Sequence, residues 1–499
     1  MRIVLAALLA MALSAPAHAQ SADAQAAEQA KAFSRLDPIF ARFAAERHTP
    51  GLVFGVVADG KLAYVRASGV QDTASGRPVT PDTVFRIASM SKNFTALAVL
   101  KLRDEGKFSL DAPVETIVPE FAGLSYTTSD SPRIRVRDLL NHAGGFVTDD
   151  PWGDRQLAMS EADFSALMKS SPPFSRAPAM AMEYSNFGYA VAGRIVTNAS
   201  GQPFAAYIGQ NILAPLGMAA STYDISKIPA EHRAVGYDWI DEEWVEEPVL
   251  GPGAFGAMGG LAVSAADYAK YVAWVLDAWP PRDGADDPIL RRSSRREIVQ
   301  GSNFPMVVTR SGPDTCDRAR TYGMGMIVFA DCMLGPHFTH SGGLPGYGSN
   351  VLFLPERGIA VFAFANMTYA PASLYVREAA LELVKSGAFP ARVPPASHQL
   401  QAAARDLAAV YAAGDIMSRK DAFAMNVLLD SDAAHRNADL AALRGKLGTC
   451  GAPEPFVSDT AMSGTTYLPC QHGRLKAQVI LAPTRPPTIQ SYVLTAENR

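Results

Sequence analysis

The chain has 499 residues, 48% hydrophobic and 19% charged, an ordinary globular balance that excludes a disordered chain. Its 45 Lys and Arg against 49 Asp and Glu give a formal net charge of −4, so no basic excess marks a nucleic-acid binder or an anionic-membrane surface. The 39 Gly and 35 Pro are spread through the chain, which argues for many turns and against a helical bundle or coiled coil.

The first elements read as an export signal. Arg2 gives a positive start, Ile3 to Leu13 is an apolar run, and Ala17-His18-Ala19 is a small-x-small cleavage site. This predicts a signal peptide over 1–19 and a periplasmic or secreted protein. No later run offers about 18 uninterrupted apolar residues, so no membrane span is expected after cleavage.

Residues 20–48 are Ala-rich with helical spacing, and Pro50-Gly51 stops them. Leu52–Ala58 and Lys61–Ala67 are β-rich and separated by Asp59-Gly60, a strong hairpin signal. Asp82–Ala88 is a short extended lead-in. Ser89–Glu105 then predicts a helix, with Phe94, Leu97, Ala98 and Leu102 near one face and Gly106 as its stop. From 107 to 300 the pattern is helical pieces and Pro/Gly-rich loops, with Ser264 as the N-cap of a later helix. Met324–Phe329, His337–Ser341, Ser349–Leu354 and Ile359–Ala365 predict antiparallel strands, and Ser373–Lys385 a closing helix.

Strands from both ends of this stretch can share one sheet. The fold class expected is therefore α+β: an antiparallel sheet flanked by helices, with a mostly helical insert, over 20–390. Residues 391–397 read as a linker. Residues 398–499 read as a separate small α+β domain, helical over 399–447 with two or three strands over 464–497.

The four cysteines are an even count in an exported chain, which predicts disulfides. Cys316–Cys332 and Cys450–Cys470 are the simplest of three connectivities. No Cys-x-x-Cys and no His pair at zinc spacing occurs, so neither a metal site nor a cofactor is expected.

Three short elements carry chemistry. Ser89-Met90-Ser91-Lys92 is the only Ser-x-x-Lys in the chain. At i and i+3 the two side chains share a helix face. Ser89 at a helix start meets free N–H groups that favour developing negative charge. Lys92 can take the Ser89 proton if burial or a cation lowers its pKa. Tyr184-Ser185-Asn186 is the only Tyr-x-Asn: the phenol can share proton transfer, and the Asn amide can hold a substrate carbonyl. His340-Ser341-Gly342, followed by Gly343, ends a strand-like run whose small residues allow a substrate backbone close to a strand edge.

Other candidates read as structural. Lys385-Ser386-Gly387 suits a helix end. His142 suits a loop pin before Gly144-Gly145, and Trp152, Trp239, Trp244 and Tyr347 suit either a pocket or the core.

The three elements, in this order, resemble the serine β-lactamase and penicillin-binding-protein superfamily, in particular its class C β-lactamase-like branch. That branch includes D-alanyl-D-alanine carboxypeptidases, D-aminopeptidases and family VIII esterases. Val84–Ser89, Asp138–Gly145, Met258–Leu261 and His340–Tyr347 carry the likeness, which covers about 30–390 and leaves 398–499 outside. The resemblance implies that Ser89 is acylated, that Lys92 and Tyr184 move protons, and that Asn186, His340, Ser341 and Gly342 bind substrate. It also implies an oxyanion hole from the backbone N–H groups of Ser89 and Gly343, commonly worth about 3 kcal/mol per donor.

His340 stands where β-lactamases of the branch usually carry Lys. A His is mostly neutral at pH 7, so β-lactam hydrolysis is disfavoured relative to amide, peptide or ester hydrolysis. The expected partner is a small-molecule or peptide substrate. The competing reading is a non-catalytic cell-wall or ligand-binding protein on the same fold. The sequence sets no oligomeric state.

Overall fold

The computed structural model describes residues 15–303, 305–309, 316–392 and 394–497. The expected signal segment lies, up to residue 14, outside the described residues. Among the described residues no helix is long and apolar enough to cross a membrane. The chain divides into two compact units, one up to Pro390 and one from Ala391.

The first unit opens with helices α1 (Ala15–Ser34) and α2 (Asp37–Glu46), then strands β1 (Gly51–Ala58) and β2 (Lys61–Asp72). Asp59 and Gly60 both take positive φ, 50° and 74°, the geometry a two-residue hairpin loop requires. β3 (Arg77–Pro78) and β4 (Val84–Arg86) follow. Next comes helix α3 (Ser91–Asp104).

The region expected to be helices and loops also holds three strands. β5 (Tyr237–Ile240) and β6 (Glu243–Glu246) form a hairpin, and β7 (Ala262–Ser264) pairs with β4. Ser264 caps the helix Ala265–Leu276 by accepting the Asp267 N–H. Six strands then complete the main sheet: β8 (Met306–Val308), β9 (Arg318–Tyr322), β10 (Ile327–Ala330), β11 (His337–Leu344), β12 (Tyr347–Leu354) and, next to β1, β13 (Ile359–Ala365) as the closing one. The expected strand 324–329 begins only at Ile327, because Gly325 turns the chain at φ 78° between β9 and β10.

The main sheet is antiparallel, in the order β3-β2-β1-β13-β12-β11-β10-β9-β8. Alternation along its central strands fills two cores. Val53 and Val57 of β1 and Phe362 and Phe364 of β13 face α3 and the helical layer. Phe54, Val56, Val361 and Ala363 face α1, α2 and the closing helix Ala372–Lys385. Burial on both faces explains why β1 and β13 read as continuous apolar runs. The expected fold class, an antiparallel sheet with flanking helices, is thus the fold observed.

The second unit has helices His398–Ala413, Met425–Asp430 and Ala433–Leu447, capped at the first by Ser397. Its antiparallel sheet has four strands: β14 (Val457–Thr460), ahead of the stretch where two or three were expected, and within that stretch three, β15 (Ser463–Cys470), β16 (Gly473–Leu481) and β17 (Ile489–Glu497). The extra one, β14, is a short edge strand with a single buried residue, so it carries almost no apolar signal. Leu475, Ala477, Val479 and Leu481 of β16 pack onto the helices. The cysteines pair as Cys316–Cys332 in the first unit and Cys450–Cys470 in the second.

Candidate active site

Ser89 lies two residues ahead of the regular part of α3. Ala88 takes a positive φ of 49°, uncommon for a residue with a Cβ, and breaks the helix ahead of Ser91. Ala88–Met90 form a 3₁₀ turn that presents Ser89 at the start of α3. Ser91 fastens this turn: its Oγ donates to the Ala88 carbonyl at 2.7 Å and accepts from the Leu261 N–H at 3.0 Å. Thr95 donates to the Ala257 carbonyl at 2.7 Å, and Asn93 to the Gly325 carbonyl at 2.6 Å. α3 is therefore buried on nearly all sides rather than along one stripe.

Lys92 is fully buried one turn on. Its Nζ donates to Ser89 Oγ at 2.9 Å, Asn186 Oδ1 at 2.7 Å and the Met258 carbonyl at 3.0 Å. Burial lowers its pKa from 10.5 to about 8, while the carboxylates of Asp150, Asp154 and Asp149 pull the other way. An amine with this pKa, in contact with a serine hydroxyl, can accept that proton near neutral pH.

The Tyr184 ring stands 4.8 Å from Lys92 Nζ. Burial pushes its hydroxyl pKa well above the ordinary value, and Asp150 adds to this, while a hydrogen bond with Ser89 opposes it. Such a group can relay a proton as a phenol but does not rest as a phenolate.

His142, read as a loop pin, instead holds the second motif. Its Nδ1 accepts the Ser185 N–H at 3.1 Å, and its ring packs 4.3 Å from that of Tyr184. Burial and the nearby Lys92 and His340 hold its pKa well below 6.5.

Asn186 starts the helix Asn186–Ser200. Asp149 caps that helix by accepting the Asn186 and Phe187 N–H groups at 2.7 and 2.8 Å. Expected to hold substrate, Asn186 is fully buried and committed elsewhere. Its Oδ1 takes the Lys92 proton donor and its Nδ2 donates to Asp150 Oδ1. It links the Ser-Lys pair to a carboxylate group and is not part of the cavity wall.

The third motif lies on β11. β10 pairs with β11 only up to Thr339, so the outer edge from His340 onward is not covered by β10. A Cβ at Gly342 would fall 2.1 Å from the Ile87 carbonyl and 2.3 Å from Ser349 Oγ, so only glycine lets β11 approach the Ser89 turn. Ser341 and Gly343 join Ser89 in lining the cavity.

His340, also expected to bind substrate, lines this cavity but has both ring nitrogens engaged. Nδ1 lies 2.6 Å from the Ser341 carbonyl, which only accepts, so Nδ1 carries the proton. Nε2 then accepts from the Tyr322 hydroxyl at 2.8 Å. Burial and Lys92 lower its pKa to about 3.

The cavity measures 610 Å³ and brings Ser89, Tyr184, His340, Ser341, Gly342 and Gly343 together. It adds residues that the motifs do not mark: Asp150 and Asp154 from the loop after Gly145, and Tyr369 from the loop after β13. Tyr369 donates to Asp154 Oδ2 at 3.1 Å. The only sequence signal for the acids is the run Asp149-Asp150-Pro151. Tyr322 has no local signal at all. Trp152 lines a separate 270 Å³ apolar cavity, Trp239 and Trp244 pack on each other, and Tyr347 is core, its hydroxyl on the Ala234 carbonyl at 2.8 Å. Lys385-Ser386-Gly387 ends a helix, with Gly387 at φ 72°.

Known proteins share this fold. The Beta-lactamase family model matches residues 36–386. Esterase EstB of Burkholderia gladioli is 35% identical over 197 residues, 37% of this chain and 50% of the esterase. Protein flp of Staphylococcus aureus (strain MW2) is 27% identical over 348 residues, 68% of this chain and 64% of that protein. The chain thus spans between half and two thirds of these relatives. In structure it is similar to an octameric penicillin-binding protein homologue from Pyrococcus abyssi, with TM-score 0.60, 20% identity and coverage of 92% of this chain and 99% of the other. It is also similar to a class C beta-lactamase mutant, with TM-score 0.57, 20% identity and coverage of 71% and 97%. At such identity these two likenesses speak to fold alone.

Proposed function

We propose, from the premise that the chain belongs to the Beta-lactamase family, that it is an exported serine hydrolase working through an acyl-enzyme on Ser89. The preferred substrates are amide or peptide bonds of D-amino-acid or cell-wall-like compounds, with small esters second. The observation that carries the reading is the 2.9 Å contact of a buried, pKa-lowered Lys92 with Ser89 in a cavity shared with Tyr184 and Gly343. The two cystine pairs are in keeping with an oxidising compartment.

In this mechanism the Ser89 hydroxyl attacks the substrate carbonyl while its proton passes to neutral Lys92. The backbone N–H groups of Ser89 and Gly343 receive the developing oxyanion. As the tetrahedral species collapses, the proton moves from Lys92 through the Tyr184 phenol to the leaving nitrogen or oxygen. Water then attacks the acyl carbonyl, giving its proton to the same pair, which passes it to Ser89 Oγ as that oxygen leaves and the acid product is freed. Asn186 and Met258 position the Lys92 amine, so the roles foreseen for Lys92 and Tyr184 are kept and that of Asn186 becomes positioning. Because His340 supplies no ammonium, β-lactams are not favoured substrates.

The test is labelling by a fluorescent fluorophosphonate, together with turnover of a p-nitrophenyl ester and a D-aminoacyl p-nitroanilide, comparing wild type with Ser89→Ala. Equal labelling of the two proteins removes Ser89 from the mechanism. Labelling without turnover of any substrate returns the reading to a binding protein.

A further inference from the structure

Only two of the described residues lining the Ser89 cavity are charged among its acids and bases, Asp150 and Asp154. Asp154 is 4% exposed while Asp150 lies exposed beside it, and neither acid is ion-paired to a described Lys or Arg, so the cost of burial falls on Asp154. Lys92, whose charge is felt by both, directs its hydrogen bonds to Ser89, Asn186 and Met258 instead, and Arg155 is paired with Glu247 at 3.7 Å. A buried carboxylate without a cationic partner is costly, so its presence in a cavity wall points to a cation supplied from outside.

A second, separate observation concerns the opposite sign. His340, where a third-motif cation would meet a substrate carboxylate, is closed to that role by Tyr322. The Tyr322 hydroxyl occupies Nε2 at 2.8 Å, and the Ser341 carbonyl holds Nδ1–H. Arg320, on β9 with Tyr322, lines an adjoining 190 Å³ cavity that shares Tyr184 and Ile327 with the main one, but is not itself in the main cavity's wall.

We infer that Asp150 and Asp154 are specificity-determining residues that select substrates bearing an ammonium group close to the scissile carbonyl, as in an α-aminoacyl amide or ester, over their carboxylate-bearing counterparts. This rests on the proposed acyl-enzyme reading and names the substrate class of that same site. Burial raises the Asp154 pKa to about 6, so at pH 7 it is largely ionised and able to meet an ammonium. Tyr369, which lines the same cavity, donates its hydroxyl to Asp154 Oδ2 at 3.1 Å.

The experiment uses the full chain and three matched p-nitroanilides: D-alanyl, N-acetyl-D-alanyl and N-succinyl-D-alanyl, which present an ammonium, a neutral amide and a carboxylate. The ammonium member is expected to exceed the neutral one in kcat/KM by at least about tenfold, with the succinyl member last. Protection of Ser89 from fluorophosphonate by the corresponding amides should follow the same order, which keeps the test informative if anilide turnover is slow. Asp154→Asn and Asp150→Asn should each reduce the ammonium-to-neutral ratio. A merely structural role would lower all three substrates together and leave that ratio fixed. Equal rates across the three, or a preference for the succinyl member abolished by Arg320→Gln, overturn the inference. If Ser89→Ala is labelled as well as wild type, the acyl-enzyme reading itself has failed. Loss of label without charge discrimination sinks this inference alone.

Discussion

Under the proposed mechanism Lys92 must be neutral to accept the Ser89 proton, so pH is the perturbation that reads it directly. Its pKa is lowered to about 8 by burial. At pH 7 about one tenth of the amine is then neutral, and at pH 6 about one hundredth. The sign follows: kcat/KM should rise about tenfold from pH 6 to 7, more gently from 7 to 8, and level off above about 9. A neutral short-chain p-nitrophenyl ester is the substrate of choice, followed at the isosbestic wavelength of the reporter, with Ser89→Ala as the blank. Asp150 leads the carboxylates that stabilise the Lys92 ammonium, so Asp150→Asn should move the rising limb to lower pH. A rate that is flat between pH 6 and 9, or that falls as pH rises, would refute the assignment of Lys92 as base. An upward shift in Asp150→Asn would refute the electrostatic account of its pKa.

Three further outcomes bear on the same site. Tyr184→Phe keeps the ring against His142 and removes only the relay, so kcat should fall by about 10²–10⁴ with little change in thermal midpoint; an unchanged kcat takes Tyr184 out of proton transfer. Gly342→Ala places a methyl against the Ile87 carbonyl and Ser349, and should cost about 1–3 kcal/mol in urea unfolding while reducing Ser89 labelling. His142→Leu leaves the Ser185 N–H unpaired in a buried place, so stability should drop by about 1–3 kcal/mol and kcat should fall with it, since Tyr184 and Asn186 flank that group. A fully stable and active His142→Leu protein would show that the contact does not hold the second motif.

Local sequence was enough to set out the elements whose signals are local. Asp59-Gly60 marked a hairpin because both residues tolerate positive φ, and Ser264 marked a helix start because its side chain replaces a missing backbone partner. The runs of β12 and β13 were readable because strands buried on both faces are apolar at every position. The edge strands β8 and β14, and the hairpin β5–β6, were not readable, since most of their side chains are exposed and little apolar pattern remains. The same limit moved the start of α3: Ala88 has no sequence mark of a positive φ, and only its neighbours impose one.

The three motifs likewise came from sequence, because each needs particular residue types at fixed short spacing. What those residues do to one another did not, because it depends on groups far apart in the chain. Lys92 and Asn186 are 94 positions apart, yet their contact turns the amide away from the cavity. Tyr322 occupies Nε2 of His340 from another strand, while burial and Lys92 keep the ring neutral. Asp150 and Asp154 gain their importance only because a cavity wall forms around them with no cation of its own among the described residues. The balance of ordinary composition and slight negative charge excluded nucleic acid at the outset. Where that charge sits was decided by the tertiary structure, since pKa values and pairing depend on burial and distance, which no local pattern encodes.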